Sequence, residues 1–284
     1  MDFVKPNGKR RVVVTGAGMI SGLGQNWEEA FEQLKSYKNC IKNMEEWHDI
    51  AGMNTQLACP AKGDLPKYSR KLIRGMGRVA LLSYHTSQMA LEMAGLLNPE
   101  TKDIVDECKN GRTGVAYGSS MGSFDSIEEL TSVMQERCTA KVNSSTYIKC
   151  MPHTCAANIE VTYQLKGRMI VTSEACTSGS QSIGYGYETI ENGLQDIMIC
   201  GGTEGAVTIS TYTCREHQWN HTEYHCKYGH HNRTETLLTC LISRLKYRQT
   251  LTTTLGSILC NQNGSLREQT DKHNKTRLQV YVIL

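Results

Sequence analysis

Residues 168–184 read RMIVTSEACTSGSQSIG, an apolar, β-branched run that gives way to small serine- and glycine-rich residues with a cysteine at the join. Arg168–Ser173 reads as a short buried strand, and the residues from Cys176 to about Asn192 read as a helix. Cys176 therefore falls just past a strand and at the first turn of a helix. Thiolate is the reactive form of cysteine, and a helix N-terminus stabilises it through free backbone N–H groups and the aligned peptide dipoles. The same amides suit the oxyanion that forms when a thioester carbonyl is attacked. Gly179 and Gly184 leave room for a substrate or another backbone to approach. Cys40, Cys59, Cys108, Cys138, Cys150, Cys155 and Cys200 occupy no such junction and read as small, inert, buried hydrophobes.

Outward from this junction the pattern is α/β. Arg11–Thr15 reads as a buried strand and Asn26–Leu34 as a helix. Leu72, Met76, Val79, Leu82, Met89 and Met93 fall at helical spacing, which predicts one long core-facing helix over about 70–95. Thr113–Tyr117 reads as a strand ending in the small-residue loop Gly118-Ser119-Ser120, and Asp196–Cys200 as a last strand closed by Gly201 and Gly202. Strands alternating with helices imply a mostly parallel sheet covered on both faces.

The run VVVTGAGMISG at 12–22 invites comparison with a dinucleotide-binding loop, but GxGxxG needs its third glycine at Ser21. A short-chain-dehydrogenase pattern would need a small residue at Ile20 and a Tyr-x-x-x-Lys pair, which the chain lacks. It reads instead as a tight strand-to-helix turn, and no cofactor is expected.

Several segments, in order, resemble the β-ketoacyl synthases, in particular the type II ketoacyl-[acyl carrier protein] synthases. Ala175-Cys-Thr-Ser-Gly179, followed by Ile183 and Gly184, resembles their nucleophile motif. Arg11-Val-Val-Val-Thr-Gly16 is similar to their opening strand, and Met76-Gly-Arg-Val-Ala-Leu-Leu82 to their first long helix. Gly118-Ser-Ser-Met-Gly122 resembles the loop beside the acyl pocket. Met151-Pro-His-Thr-Cys-Ala-Ala-Asn158 and Cys200-Gly-Gly-Thr-Glu204 resemble the segments before and after the nucleophile strand. The likeness covers about residues 10–206.

The resemblance implies a thiolase-like fold, of which residues 1–207 form the N-terminal half of an αβαβα layered architecture, in a family that usually forms homodimers. It implies that Cys176 takes an acyl group from acyl carrier protein and that Met121 sits near the mouth of the acyl pocket. The inherited reaction is decarboxylative condensation with malonyl-carrier protein in fatty-acid or polyketide synthesis. Glu174 departs from the family, which usually has a small hydroxylated residue there. A carboxylate pointing inward would raise the pKa of the neighbouring thiol.

Lys62, Lys67, Arg70, Lys71, Arg74 and Arg78 concentrate positive charge where family members receive their acidic carrier, though the run equally suits a solvated face beside a core helix. No basic run with interleaved aromatics points to nucleic acid. No apolar run reaches the ~18 residues of a membrane span. The leader lacks a secretory pattern, so cytoplasmic residence with reduced thiols is expected.

The net charge of +3 is unevenly spread. Residues 208–284 hold ten Lys or Arg against five Asp or Glu, no alanine, one aspartate, thirteen threonines and six of the nine histidines. This tail shows little periodicity, and a shifted reading frame would produce such a break at one point. The C-terminal half of the fold is thus expected to be missing or replaced, and the tail poorly ordered. The family's two catalytic histidine segments and its Gly-rich Phe loop have no match after Val207, so His217, His221, His225, His230 and His231 receive no role. Cys214, His217, His221, His225 and Cys226 lie close together, yet they lack the paired ligand elements and folded spacer of a zinc site, so no metal is assigned. Two functions stay open: a ketosynthase that is inactive or incomplete in condensation, and a non-catalytic remnant that binds acyl carrier protein.

Overall fold

The computed structural model describes residues 4–208, apart from 38, 54, 62, 141 and 206, together with 279–283. The chain divides into one unit of Met1–Thr222 with Leu278–Leu284 and a second of Glu223–Arg277; the second lies outside the described residues, as do Lys62, the tail histidines and the Cys/His tract.

The first unit is built on a parallel five-stranded sheet. In chain order its strands are β1 (Val14–Gly18), β4 (Thr113–Gly118), β5 (Met169–Thr172), β6 (Ile197–Gly202) and β7 (Gln279–Ile283), and their spatial order is β1-β7-β6-β4-β5. Two short strands, β2 (Lys42–Asn43) and β3 (Leu57–Ala58), pair antiparallel outside it. The helices are α1 (Trp27–Lys35), α2 (Arg70–Ile73), α3 (Arg78–Met93), α4 (Phe124–Glu136), α5 (Ser144–Lys149), α6 (Thr154–Thr162) and α7 (Ser178–Glu191).

Alternation along the strands sorts the core into two layers. Val115, Tyr117 and Ile199 face α3 and α6, where they join Val79, Tyr84, Leu91, Cys155 and Ile159 in one large buried cluster. Ala116, Met198 and Cys200 face the other way, against Ile183 and Ile190 of α7. Helices thus cover both faces of the central strands β4 and β6, the layering expected from the alternation of elements. The strands read as buried at 11–15 and 168–173 instead fall at the sheet's edges and leave Val14, Met169 and Val171 exposed.

Two elements differ from the sequence reading. The glycines of 16–18 are in the strand itself and not in a turn, because Gly16 and Gly18 lie flat against α3: a Cβ on them would stand 2.0 Å from the Ala90 carbonyl oxygen and 2.2 Å from that of Thr86. The next helix begins only at Trp27, capped by the Asn26 side chain, so the glycines do not meet a helix N-terminus as a dinucleotide loop must.

The long helix over 70–95 is also broken, into α2 and α3. Gly77 is extended (φ −82°, ψ −179°), and a Cβ there would lie 2.3 Å from Ser123 Oγ. That hydroxyl accepts from the Val79 N–H at 3.1 Å, capping α3 from a distant loop. Met76, in the break, is buried like Val79 and Leu82 of α3, whereas Met93 at the end of the predicted face is exposed.

Charge pairs fasten the N-terminal segment to the sheet's far end. Lys5 and Lys9 meet Glu191 at 2.5 and 3.1 Å and hold its carboxyl down to about 2. Asp196 takes a two-pronged grip from Arg112, Nη2 to Oδ1 at 2.7 Å and Nε to Oδ2 at 2.9 Å, and a further bond from Arg10 at 2.8 Å.

Candidate active site

Three strands end level with one another. Gly118 of β4 is in register with Thr172 of β5 and with Gly202 of β6, so the loops 119–123, 173–177 and 203–205 leave the sheet side by side. The C-terminal edge of a parallel sheet is the usual place for a ligand in an α/β fold. Cys176 sits there, exposed, in a 3₁₀ turn Ala175–Thr177 that leads directly into α7. The helix thus begins two residues after the cysteine, and the thiol stands just outside the first turn.

The turn is fixed by its neighbours. Ser178 Oγ donates to the Ala175 carbonyl at 2.8 Å and accepts from the Glu174 N–H at 2.9 Å. Thr172 Oγ1 donates to the Ser178 carbonyl at 2.8 Å, and Thr177 Oγ1 to that of Glu174 at 2.8 Å. Ala175 is held at φ +48°, a left-handed conformation that costs a residue with a Cβ about 1–2 kcal/mol. Such strain persists where surrounding bonds over-determine the backbone, as they do here.

Missing side chains bring α7 close to the strands. A Cβ on Gly118 would fall 2.8 Å from Ser178 Cβ, and one on Gly202 2.7 Å from Gly179 Cα. Of the two glycines singled out by sequence, Gly179 makes this close approach, a Cβ on it falling 3.4 Å from Gly202 Cα, whereas nothing lies within 4 Å of a Cβ on Gly184. Gly186, which sequence reading passed over, is the tighter contact: a Cβ there would meet Cys200 Sγ at 2.0 Å. Ser182 Oγ donates to the Gly201 carbonyl at 2.6 Å and completes the helix–strand seam.

Among the described residues every other thiol except Cys138 is at least partly buried. Cys108, Cys155 and Cys200 are buried, and burial pushes all three up, Cys155 to about 12. Burial also raises Cys59 and Cys150, which are half-buried. Cys138 is exposed, not buried as the sequence reading had it, because it follows the end of α4. Glu174, expected to matter if it points inward, lies on an exposed stretch.

Met121 lies half exposed on the loop after β4. The preceding carbonyl, that of Ser120, accepts from Ser173 Oγ at 3.2 Å, tying this loop to the strand exit that carries Cys176. Lys67, Arg70, Lys71, Arg74 and Arg78 are all exposed on and around α2 and the start of α3. Among the described residues no cluster of three His, Cys, Asp or Glu forms a metal-sized site, and no helix is long and apolar enough to cross a membrane.

Residues 9–228 match the model of the β-ketoacyl synthase N-terminal domain. The chain belongs to the β-ketoacyl synthase family. A 3-oxoacyl-[acyl-carrier-protein] synthase 2 of Vibrio cholerae is 34% identical over 202 residues, covering 70% of this chain and 47% of that protein. A β-ketoacyl synthase of Burkholderia phymatum, known as a crystal structure, superposes with a TM-score of 0.59 at 39% identity, covering 66% of this chain and 45% of that one. A type II polyketide ketosynthase, solved in complex with its acyl-carrier protein, shares the fold at 20% identity and a TM-score of 0.54, over 72% of this chain and 54% of that one. The chain thus spans about half the length of the curated relatives it matches, and its α/β/α layers are the N-terminal half of the thiolase-like ketosynthase fold.

Proposed function

We propose that this chain carries the acyl-accepting half of a 3-oxoacyl-[acyl carrier protein] synthase, with Cys176 as nucleophile. The observation that carries the reading is the position of Cys176: an exposed thiol at the level ends of β4, β5 and β6, immediately before α7. In the reaction, the Cys176 thiolate attacks the carbonyl carbon of an acyl thioester. The C–S bond to the carrier breaks, the carrier thiolate leaves and takes up a proton, and the acyl group remains as a thioester on Cys176. The amides at the start of α7 are suited to the oxyanion of the tetrahedral intermediate.

Condensation with malonyl-carrier protein needs the histidine segments that have no match after Val207. Acyl uptake is the step that the position of Cys176 supports for this chain. Met121 borders the acyl chain's entrance. The carrier docks on Lys67, Arg70, Lys71 and Arg74; their exposure favours this, as does the carrier complex of the polyketide relative. A homodimer fits the edge strand β5, where Met169 and Val171 remain 43% and 38% exposed. Eight free cysteines among the described residues suit a reducing compartment, consistent with the cytoplasm.

The test is mass spectrometry of the full chain after incubation with an acyl thioester. A single acyl adduct on Cys176, absent in Cys176→Ala, supports the reading; equal labelling of both sinks it. Carrier binding without any adduct would favour the second reading, a remnant that docks acyl carrier protein without chemistry, for which the exposed basic residues are the supporting observation.

A further inference from the structure

Glu204 has no part in the chemistry described so far, yet its carboxylate is the point at which the exits of β4 and β6 are joined. The preceding residue gives it a fixed base. The Thr203 N–H donates to the Gly118 carbonyl at 3.0 Å, and Thr203 Oγ1 shares a hydrogen bond of 2.7 Å with the fully buried Tyr117 Oη. From there Glu204 Oε1 accepts from the Ser120 N–H and from Ser119 Oγ at 3.4 Å. Ser119, fully buried, accepts in turn from the Gly122 N–H at 3.2 Å. The Ser120 carbonyl accepts from Ser173 Oγ at 3.2 Å, three residues before Cys176.

Both neighbours of Met121 are therefore held by one carboxylate, Ser120 directly and Gly122 through Ser119. At its far end the loop is wedged: Gly122 has φ +76°, and a Cβ there would lie 2.4 Å from the Cys150 carbonyl oxygen. A hydrogen bond to an ionised acceptor is stronger than a neutral one, which makes the carboxylate the dominant tie at the near end.

We propose that Glu204 is a positioning residue that clamps the loop 119–122 and so sets where Met121 stands beside Cys176. Its functional consequence rests on the acyl-transfer reading: the clamp determines which acyl chain lengths reach the thiol. The clamp itself does not depend on that reading.

The experiment compares the full chain with Glu204→Ala and Glu204→Gln by amide hydrogen exchange and by acyl uptake from short- and long-chain acyl thioesters. In Glu204→Ala, exchange at Ser120 and Gly122 rises about tenfold or more, with Val115 and Tyr117 unchanged, and the ratio of short- to long-chain uptake shifts. Glu204→Gln keeps an acceptor oxygen and restores most of both. Unchanged exchange at Ser120 and Gly122 in Glu204→Ala overturns the clamp, as does a glutamine variant no better than alanine. If the alanine chain loses protection throughout the sheet, the glutamine chain decides: protection restored, or loosened only at Ser120 and Gly122, supports the clamp, and loosening throughout the sheet overturns it. A wild-type chain that takes up no acyl group refutes the acyl-transfer reading and leaves the exchange result to judge the clamp.

Discussion

Replacing Ser178 by alanine removes the side chain that holds the Cys176 turn. Its Oγ makes two bonds, to the Ala175 carbonyl and from the Glu174 N–H, each worth about 0.5–1.5 kcal/mol net. Both partners belong to exposed residues and regain water when released, which keeps the loss near the lower end, about 1–2 kcal/mol. Against this, Ala175 relaxes from φ +48° and recovers about 1 kcal/mol of strain. The expected net destabilisation is therefore small, about 1 kcal/mol or less.

A double-mutant cycle separates the two parts. Ala175→Gly in the wild-type chain stabilises by up to about 1 kcal/mol, because glycine adopts the left-handed region without penalty. In a Ser178→Ala chain the turn has already relaxed, and the same substitution gains little. The assay is urea denaturation followed by circular dichroism on the four chains, with the rate of Cys176 alkylation by iodoacetamide as a second readout. Effects that add to within about 0.3–0.5 kcal/mol, with alkylation unchanged, would refute the claim that Ser178 stores the strain at Ala175.

The remaining predictions concern packing, acid and charge. Gly202→Ala drives a Cβ to within 2.7 Å of Gly179 Cα; with backbone on both sides it costs about 1–3 kcal/mol and slows acylation of Cys176, measured by denaturation and adduct formation. Glu191 and Asp196 have folded pKa values held below their unfolded ones, by Lys5 and then Lys9 for the first and by Arg112 and then Arg10 for the second. Their stabilisation is present above about pH 4 and is lost as the pH falls through the folded values, about 2 for Glu191. The Arg10 amide, bonded to the Glu191 carbonyl at 3.2 Å, should lose exchange protection over that interval while Val115 keeps its own; equal loss at both refutes the local account. The triple change Arg70→Glu, Lys71→Glu and Arg74→Glu should lower acyl uptake from carrier-borne substrate about tenfold or more at low ionic strength. It should also flatten the salt dependence seen in the wild type; a parallel salt dependence in both chains would place docking elsewhere.

Sequence by itself determined the parallel α/β sheet, because apolar β-branched runs and amphipathic helices announce their periods locally. It also located Cys176, since a strand running into a small-residue helix start is a contiguous pattern, and the ordered segments on either side pointed to the family. What it mislocated depended on contacts between distant residues. The break at Gly77 is made by Ser123, and the strand at 14–18 exists because Gly16 and Gly18 meet the backbone of α3. The helix α4 was not read from the sequence at all; its apolar stripe Ile127, Leu130 and Met134 is spaced for a helix, but only Phe124 and Ser126 of that helix are buried. Residues 279–283, taken with the irregular tail, pair between β1 and β6, a placement that no local pattern encodes.

The role of Glu204 lay furthest from the sequence. A lone glutamate after two glycines has no period and no motif chemistry of its own. Only the level registration of β4 and β6 brings its carboxylate onto the Ser120 amide. Local propensity is written in neighbouring residues, whereas the positions of catalytic loops are set where separate strands end together, and that meeting is a property of the folded sheet alone.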